Sequence, residues 1–252
     1  MILRISGVRE TAGVTPGWNS FAESQKLKKK MSGYISQPAH ARLSAKIAAT
    51  LTTEAFGTLP ADVIEAIGRH DSGWSEADLA ALETASTGDP ASFLEVPSQQ
   101  ATEAWRHSIR AAEARSPLQA ALTSRHFCLL APDDGDPAHQ TFVREENHRR
   151  QAIEATFDVN EADMQRYTAA LGFCDLLSLL MCSGIEGAFE LPLAHPAHPA
   201  ASKALHAICE ISSGTVNFER TILHAENPLS VNAWLRTGGD SIASELCEWR
   251  VE

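Results

Sequence analysis

From Gln37 to Cys182 the apolar residues return every three or four positions, the period of a helix with one buried face. His40, Leu43, Ile47 and Leu51 share one stripe behind Pro38, a residue suited to the first turn of a helix. Gly57 and Pro60 punctuate its end, and a second helix over about 60–70 aligns Val63, Ile67 and His70 or Asp71 before Gly73 stops it. Residues 75–98 have few periodic apolar positions and contain Gly88-Asp89-Pro90 and Pro97, so they are expected to be a long irregular segment, either a lid or a loose surface loop. A third helix follows over about 98–114. Ser116-Pro117 starts a fourth, which places Leu118, Leu122, His126 and Leu129 or Leu130 on one face. After the acidic turn at 133–137, residues 139–156 predict a charged helix lying on the surface around Phe142 and Ile153. The most apolar segment begins at Asn160, a good capping residue followed by acidic side chains, and runs to about Cys182 with Met164, Leu171, Asp175 and Leu179 on one stripe.

Outside this region the period changes. Residues 1–7 alternate weakly and predict a short strand, with Tyr34-Ile35 as its partner across an intervening stretch, 9–33, expected as a mobile surface insertion. The lysines within Lys26–Lys30 are expected to form a solvated face. After Gly184, Pro192 and His195-Pro196-Ala197-His198-Pro199 interrupt helices, a short helical piece is expected at 200–209, and Thr215–Leu223, Ser230–Arg236 and Glu248–Val251 predict strands. The expected fold is therefore mainly α, a helical bundle with a small antiparallel sheet built from the C-terminal segment and, as an option, the N-terminal strand. It is read as a single domain over 1–252, with a helical core at 34–185 and a β-rich appendage at 186–252.

Composition narrows the class. With 44% hydrophobic and 21% charged residues, 252 residues can bury a sizeable core, which argues against global disorder. A formal net charge of -11 opposes a nucleic-acid groove, since neutralising phosphates needs a basic surface. No apolar run reaches the roughly 18 to 20 residues of a bilayer span, and the longest is broken by Asp175. Met1–Gly7 carries Arg4 and has no signal-peptide core, so a cytoplasmic protein with no membrane partner is expected. The five cysteines are odd in number and lack CxxC spacing, which points to reduced core residues.

The chemistry lies where polar residues occupy apolar stripes. An isolated buried carboxylate is prohibitively costly, so Asp175 needs a partner: a metal, a backbone amide or an arginine. His40 and His126, taken singly, also read as satisfied core histidines. His70 and Asp71 diverge by about 100° on a helix and can face one ion only where the helix ends, which Gly73 provides. Because all five candidates stand at inward positions of four helices, their combination points to a metal site in the helical part. Imidazole and carboxylate donors without nearby thiolates suit one or two divalent ions of iron, manganese, zinc or cobalt. Arg69 and Arg125 flank two of the candidates and are read either as surface salt bridges or as partners for an anionic substrate. His107, His139, His148, His195 and His198 are expected to be exposed, and Trp74 and Trp105 to line the core or a cleft.

The order His40, His70-Asp71, Asp175 resembles the HD-domain superfamily, whose ligands follow an H…HD…D pattern on a helical core. The neighbourhoods Ser36–Ala41, His70–Trp74, Ser124–Phe127 and Asp175–Leu179 also look like an uncharacterised bacterial family known only as a domain of unknown function. The resemblance covers about 34–185 and implies an HD-like helical core with His40, His70, Asp71 and Asp175 as primary ligands and His126 toward a second ion. It implies a metal-dependent hydrolase of a small phosphorylated or nucleotide-like molecule, with Asp71 at the reacting centre; Arg125, from its place beside His126, and the loop at 75–97 are expected to position the substrate. Where many HD phosphohydrolases carry a lysine or other polar group after the His-Asp pair, this chain has Trp74. The superfamily also includes di-iron oxygenases, which use additional histidines. A non-catalytic binding protein rigidified by its metal is the third expectation, and a homodimer is compatible with each.

Overall fold

The computed structural model of the protein describes residues 1–5, 8–27, 31–84, 91–193, 206–212, 214–219, 221–236 and 242–252. Its axis is helix α9, Glu161–Ser183, from Leu171 onward buried on every side except at Gly172. A helix apolar all round belongs inside a protein, between layers. The Asn160 side chain accepts from the Asp163 backbone N–H at 2.9 Å and starts it, and Gly184, at φ 73°, ends it. A side chain at Gly184 would strike the Ile5 carbonyl, 2.5 Å from where its Cβ would stand.

Against α9 pack α2 (Gln37–Thr50), α4 (Ala61–Arg69) and α7 (Pro117–Leu130). Ser36 and Ser116 cap α2 and α7, and each cap precedes a proline-containing first turn. The short α3 (Thr53–Phe56) also touches α9, and α6 (Ser98–Glu113) and α8 (Pro137–Glu154) build outward from α7. Apart from α3, which the sequence did not announce, these helices lie where the 3.6-residue period placed them.

On the other side lies the sheet. Its eight strands are β1 (Ile2–Ile5), β2 (Arg9–Pro16), β3 (Met31–Ile35), β4 (Glu186–Pro192), β5 (His206–Ser212), β6 (Thr215–Phe218), β7 (Leu229–Arg236) and β8 (Ile242–Val251), in the order β1-β3-β7-β8-β6-β5-β4-β2. The pairing of Ile2 with Ile35 and Leu3 with Tyr34 joins the N-terminal strand to its expected partner. β1 and β4 pack on α9, and β7 packs on α2.

This architecture corrects the expected fold class. The sheet is large, mixed and curled into a half-barrel, and β2–β4 and β6–β8 are parallel pairs, so the protein is not a mainly-α bundle with a small antiparallel sheet. The β2–β4 pair joins segments separated by most of the helical part, and no local period announces such a pairing. β4 hides its alternation, Phe189 and Leu191 inward, among glutamates, Gly187 and Pro192. In β5 the inward Ala207, Cys209 and Ile211 replace the end of the helical piece expected at 200–209; residues 200–205 lie outside the described residues.

Residues 9–24, assigned from sequence to a surface insertion, form β2 and helix α1 (Gly17–Ser24), which buries Phe21 in the core. The segment expected to be irregular begins with helix α5 (Ser75–Thr84), which follows a 3-10 turn at Ser72–Trp74. It escaped the periodicity because its buried anchor is Asp78, which takes the Met1 amine at 2.9 Å and the Gln37 amide at 2.5 Å. Residues 85–90, the lysines Lys28–Lys30, His195 and His198 lie outside the described residues. Among the described residues no helix is long and apolar enough to cross a membrane.

Candidate metal centre

His40 stands in the first turn of α2, His70 caps the C-terminus of α4, and Asp71 opens the 3-10 turn beyond it. The change of direction at 70–71 lets both side chains face inward, which a continuing helix would forbid. His126 comes from α7 and Asp175 from the middle of α9. All five are at most 6% exposed.

The structure brings them together. His40 Nε2 is 2.7 Å from Asp71 Oδ2, His70 Nε2 lies 3.4 Å from the same oxygen and 3.3 Å from Asp175 Oδ1, and His126 Nε2 is 3.4 Å from Asp175 Oδ2. Ligand atoms of His40, His70 and Asp71 fall within 4.8 Å of one another, as do those of His70, His126 and Asp175. Donors bound at about 2.1 Å and subtending 90–110° at one ion stand about 3.0–3.4 Å apart, so the spacing fits shared coordination. These buried groups could hold a metal ion.

Hydrogen bonds outside the cluster aim the rings. His70 Nδ1 donates to the Ile67 carbonyl at 2.7 Å, leaving Nε2 to face inward. His40 Nδ1 meets Ser178 Oγ at 2.9 Å, Ser178 Oγ meets Ser44 Oγ at 2.8 Å, and Ser44 donates to the His40 carbonyl at 3.1 Å. That chain is satisfied by either tautomer: with the proton on Nε2 the ring donates to Asp71 Oδ2, and with it on Nδ1 the His40 Nε2 lone pair faces Asp71. Two lone pairs 2.7 Å apart repel unless a cation or a proton joins them.

The Nε2 atoms of His70 and His126 are buried without a hydrogen-bond partner. They feel the charge of Asp175, yet their separations exceed good N–H···O distances. Burial is the strongest influence on His70 and pushes its pKa down, but Asp71 and Asp175 outweigh it and raise it to about 9. Burial lowers His126, against the pull of Asp175. Burial would raise Asp175, but His126 and His70 hold it below the usual carboxylate range. Without a cation a proton on His70 offsets only part of the carboxylate charge beside it, and a divalent ion competes with that proton.

A family described as a protein of unknown function (DUF3891) matches residues 26–234. The chain belongs to the DUF3891 family. No curated protein and no solved structure matches it. All five clustered residues lie within the segment matched to DUF3891.

The cluster forms the floor of a cavity of about 230 Å³. His40, Asp71, His126 and Asp175 reach it, and its walls include Trp74, Phe93, Trp105, Phe127 and Leu179. No lysine or arginine lines it among the described residues. Arg125, expected to position an anionic substrate, is not part of the lining. It holds Glu161 with both Nη atoms at 2.8 and 2.6 Å and Glu154 through Nε at 2.7 Å, tying α7 to α8 and α9. Arg69 likewise pairs with Glu65 at the surface. Of the histidines expected to be exposed, His139 is instead 8% exposed, lines the cavity and stacks on Trp105.

Sequence reasoning passed over Ser44, Ser178 and Gln37. Ser44 is four residues after His40 and Ser178 three after Asp175, so helical spacing alone sets them on the faces of those two cluster residues. Gln37 opens the helix that carries His40, lines the cavity and is 1% exposed.

Proposed function

We propose that this member of the DUF3891 family is a divalent-metal-dependent hydrolase of a small molecule. His40, His70, Asp71 and Asp175 hold the ion in an HD-type set, and His126 completes the site or leans toward a second ion. The observation that carries the reading is the pair of buried, partnerless imidazole nitrogens, His70 Nε2 and His126 Nε2, beside Asp175 at the floor of a cavity. Buried polar atoms are normally satisfied, and two converging on one carboxylate call for a cation. Imidazole and carboxylate donors suit zinc, iron, manganese or cobalt. When bound, such an ion lowers the pKa of a coordinated water and polarises the bond to be cleaved.

The chain's own contribution is orientation and exclusion of water. Ile67 and the Ser178–Ser44 pair hold two imidazoles in register, and the aromatic walls lower the polarity around the floor, which strengthens electrostatic interactions there. The test is elemental analysis of protein purified without added metal, repeated on His70→Ala and Asp175→Ala, with turnover assayed on small esters, amides and phosphoesters. About one or two ions per wild-type chain, lost in both variants, together with metal-dependent hydrolysis, is expected. Less than a tenth of an ion per chain after attempted loading sinks the reading.

One observation favours a second reading, an iron oxygenase on the same residues: three imidazoles and two carboxylates stand in an apolar cavity, a donor set that also suits non-haem iron. Iron as the bound metal, visible colour and substrate-dependent oxygen consumption would select it over hydrolysis.

A further inference from the structure

We infer that the cavity selects a small uncharged molecule, a flat apolar ring bearing an N–H or O–H donor, and that Gln37 is the residue that recognises the donor. The inference rests on the metal-site reading, because an ion at the floor is what cancels the charge of Asp71 and Asp175.

Charge comes first. Two carboxylates balance one divalent ion, and the described lining adds no lysine or arginine. A phosphate entering over one ion would bury its charge with no counterion beyond that already neutralised ion, and uncompensated buried charge is strongly disfavoured. Arg106, close behind the Phe142 ring, is committed to Glu145 at 2.8 Å and brings no help.

Size and surface come next. A cavity of about 150 Å³ holds benzene, so about 230 Å³ encloses roughly nine non-hydrogen atoms, one ring with a short substituent. A nucleotide has more than twice that number and would leave most of itself outside. The inner walls are aromatic: Trp105 stacks on Phe127 with centroids 5.3 Å apart, and Trp74 meets Phe93 edge-on at 6.2 Å. At the mouth Trp18, Leu94 and Leu130 remain 40–42% exposed, large apolar side chains left in water where a ligand would cover them.

Gln37 supplies the polar reading. Its backbone N–H is committed to Asp78, and its side-chain Oε1 is buried with no partner. Gln37 belongs to the cavity lining, and an unsatisfied buried carbonyl oxygen costs stability until a donor reaches it, so a ligand bearing one is favoured over an isostere without it.

The test uses metal-loaded full-length protein of measured ion content and follows tryptophan fluorescence, since three tryptophans line the cavity. The probes are benzamide, acetophenone, which replaces the amide NH₂ by a methyl group, and phenyl phosphate. Benzamide is expected to bind about tenfold tighter than acetophenone, and phenyl phosphate to bind weakest. In Gln37→Leu the benzamide preference is expected to fall within about threefold, with the ion content unchanged. Should that variant fail to fold, the wild-type ranking decides alone. Tightest binding by phenyl phosphate, no preference between the two neutral probes, or a preference that survives in Gln37→Leu overturns this inference while leaving the metal site standing. A wild type that takes up no ion overturns both.

Discussion

Ser178→Ala tests the orientation of the ligands without touching one of them. Its hydroxyl meets His40 Nδ1 at 2.9 Å and Ser44 Oγ at 2.8 Å and donates to the Asp175 carbonyl at 2.8 Å, in surroundings with no exposed surface at either serine. Removing it leaves Nδ1 of a ring 1% exposed without an acceptor. The ring proton then gains by moving to Nε2, where Asp71 Oδ2 waits 2.7 Å away, and the new hydrogen bond occupies two donor atoms that the ion needs. Loss of such an orienting partner weakens metal affinity by roughly 10–100-fold, or about 1.4–2.8 kcal/mol. Folding stability should fall by only about 1 kcal/mol. The assay is competition with a chromophoric chelator for zinc, beside urea denaturation. Ser183→Ala is the control: its hydroxyl also donates within α9, to the Leu180 carbonyl at 2.7 Å, but lies outside the cluster. Equal zinc affinity in Ser178→Ala and the wild type, or equal losses in both serine variants, would refute the orienting role.

Other consequences can be checked alongside. In the metal-stripped protein His70, raised from 6.5 to about 9, contributes stability that is fully present below pH 6.5 and lost as pH rises through 9; the loss is on the order of 3 kcal/mol, and urea titrations at pH 6 and 9.5 should show it shrinking on metal loading. Asp175 has the opposite sign: its lowered pKa gives stability present above the ordinary carboxylate range and lost on acidification. Arg125→Met should cost about 1 kcal/mol by breaking its ion pairs to Glu154 and Glu161, with ion content unchanged; a loss of metal would show that the pairs hold the site together. Gly73→Ala should destabilise by more than about 3 kcal/mol, because the new Cβ would press on the Ala104 carbonyl and stand 2.5 Å from the Ser108 amide; a near-native melting temperature would contradict that packing.

Helices α2, α4 and α6–α9 were legible because each carries its own buried stripe, and a stripe is a local property of sequence. The candidate ligands were legible for a related reason: a histidine or aspartate on an apolar stripe is a conspicuous expense unless something inside the protein needs it. His40, His126 and Asp175 therefore declared their inward direction, and Gly73 declared the end that lets His70 and Asp71 converge, although its deeper constraint is the close approach of α6. The sheet was legible only in part: the β1–β3 pairing and strands at β6, β7 and β8 were expected, but not its size or its parallel pairs. Its strands are half-buried, several are short, and the parallel β2–β4 pair joins residues far apart in sequence, so its register is set by tertiary packing rather than by a local period. The sequence also suggested Arg125 as a substrate contact from its place beside His126. Successive helical residues point about 100° apart, and tertiary packing turned Arg125 to Glu154 and Glu161 while His126 faced the cavity. Local patterning determined which residues would be buried and polar; only the packing of α2, α4, α7 and α9 around one point decided that they meet, and that aromatic side chains with one unpartnered glutamine oxygen stand above them.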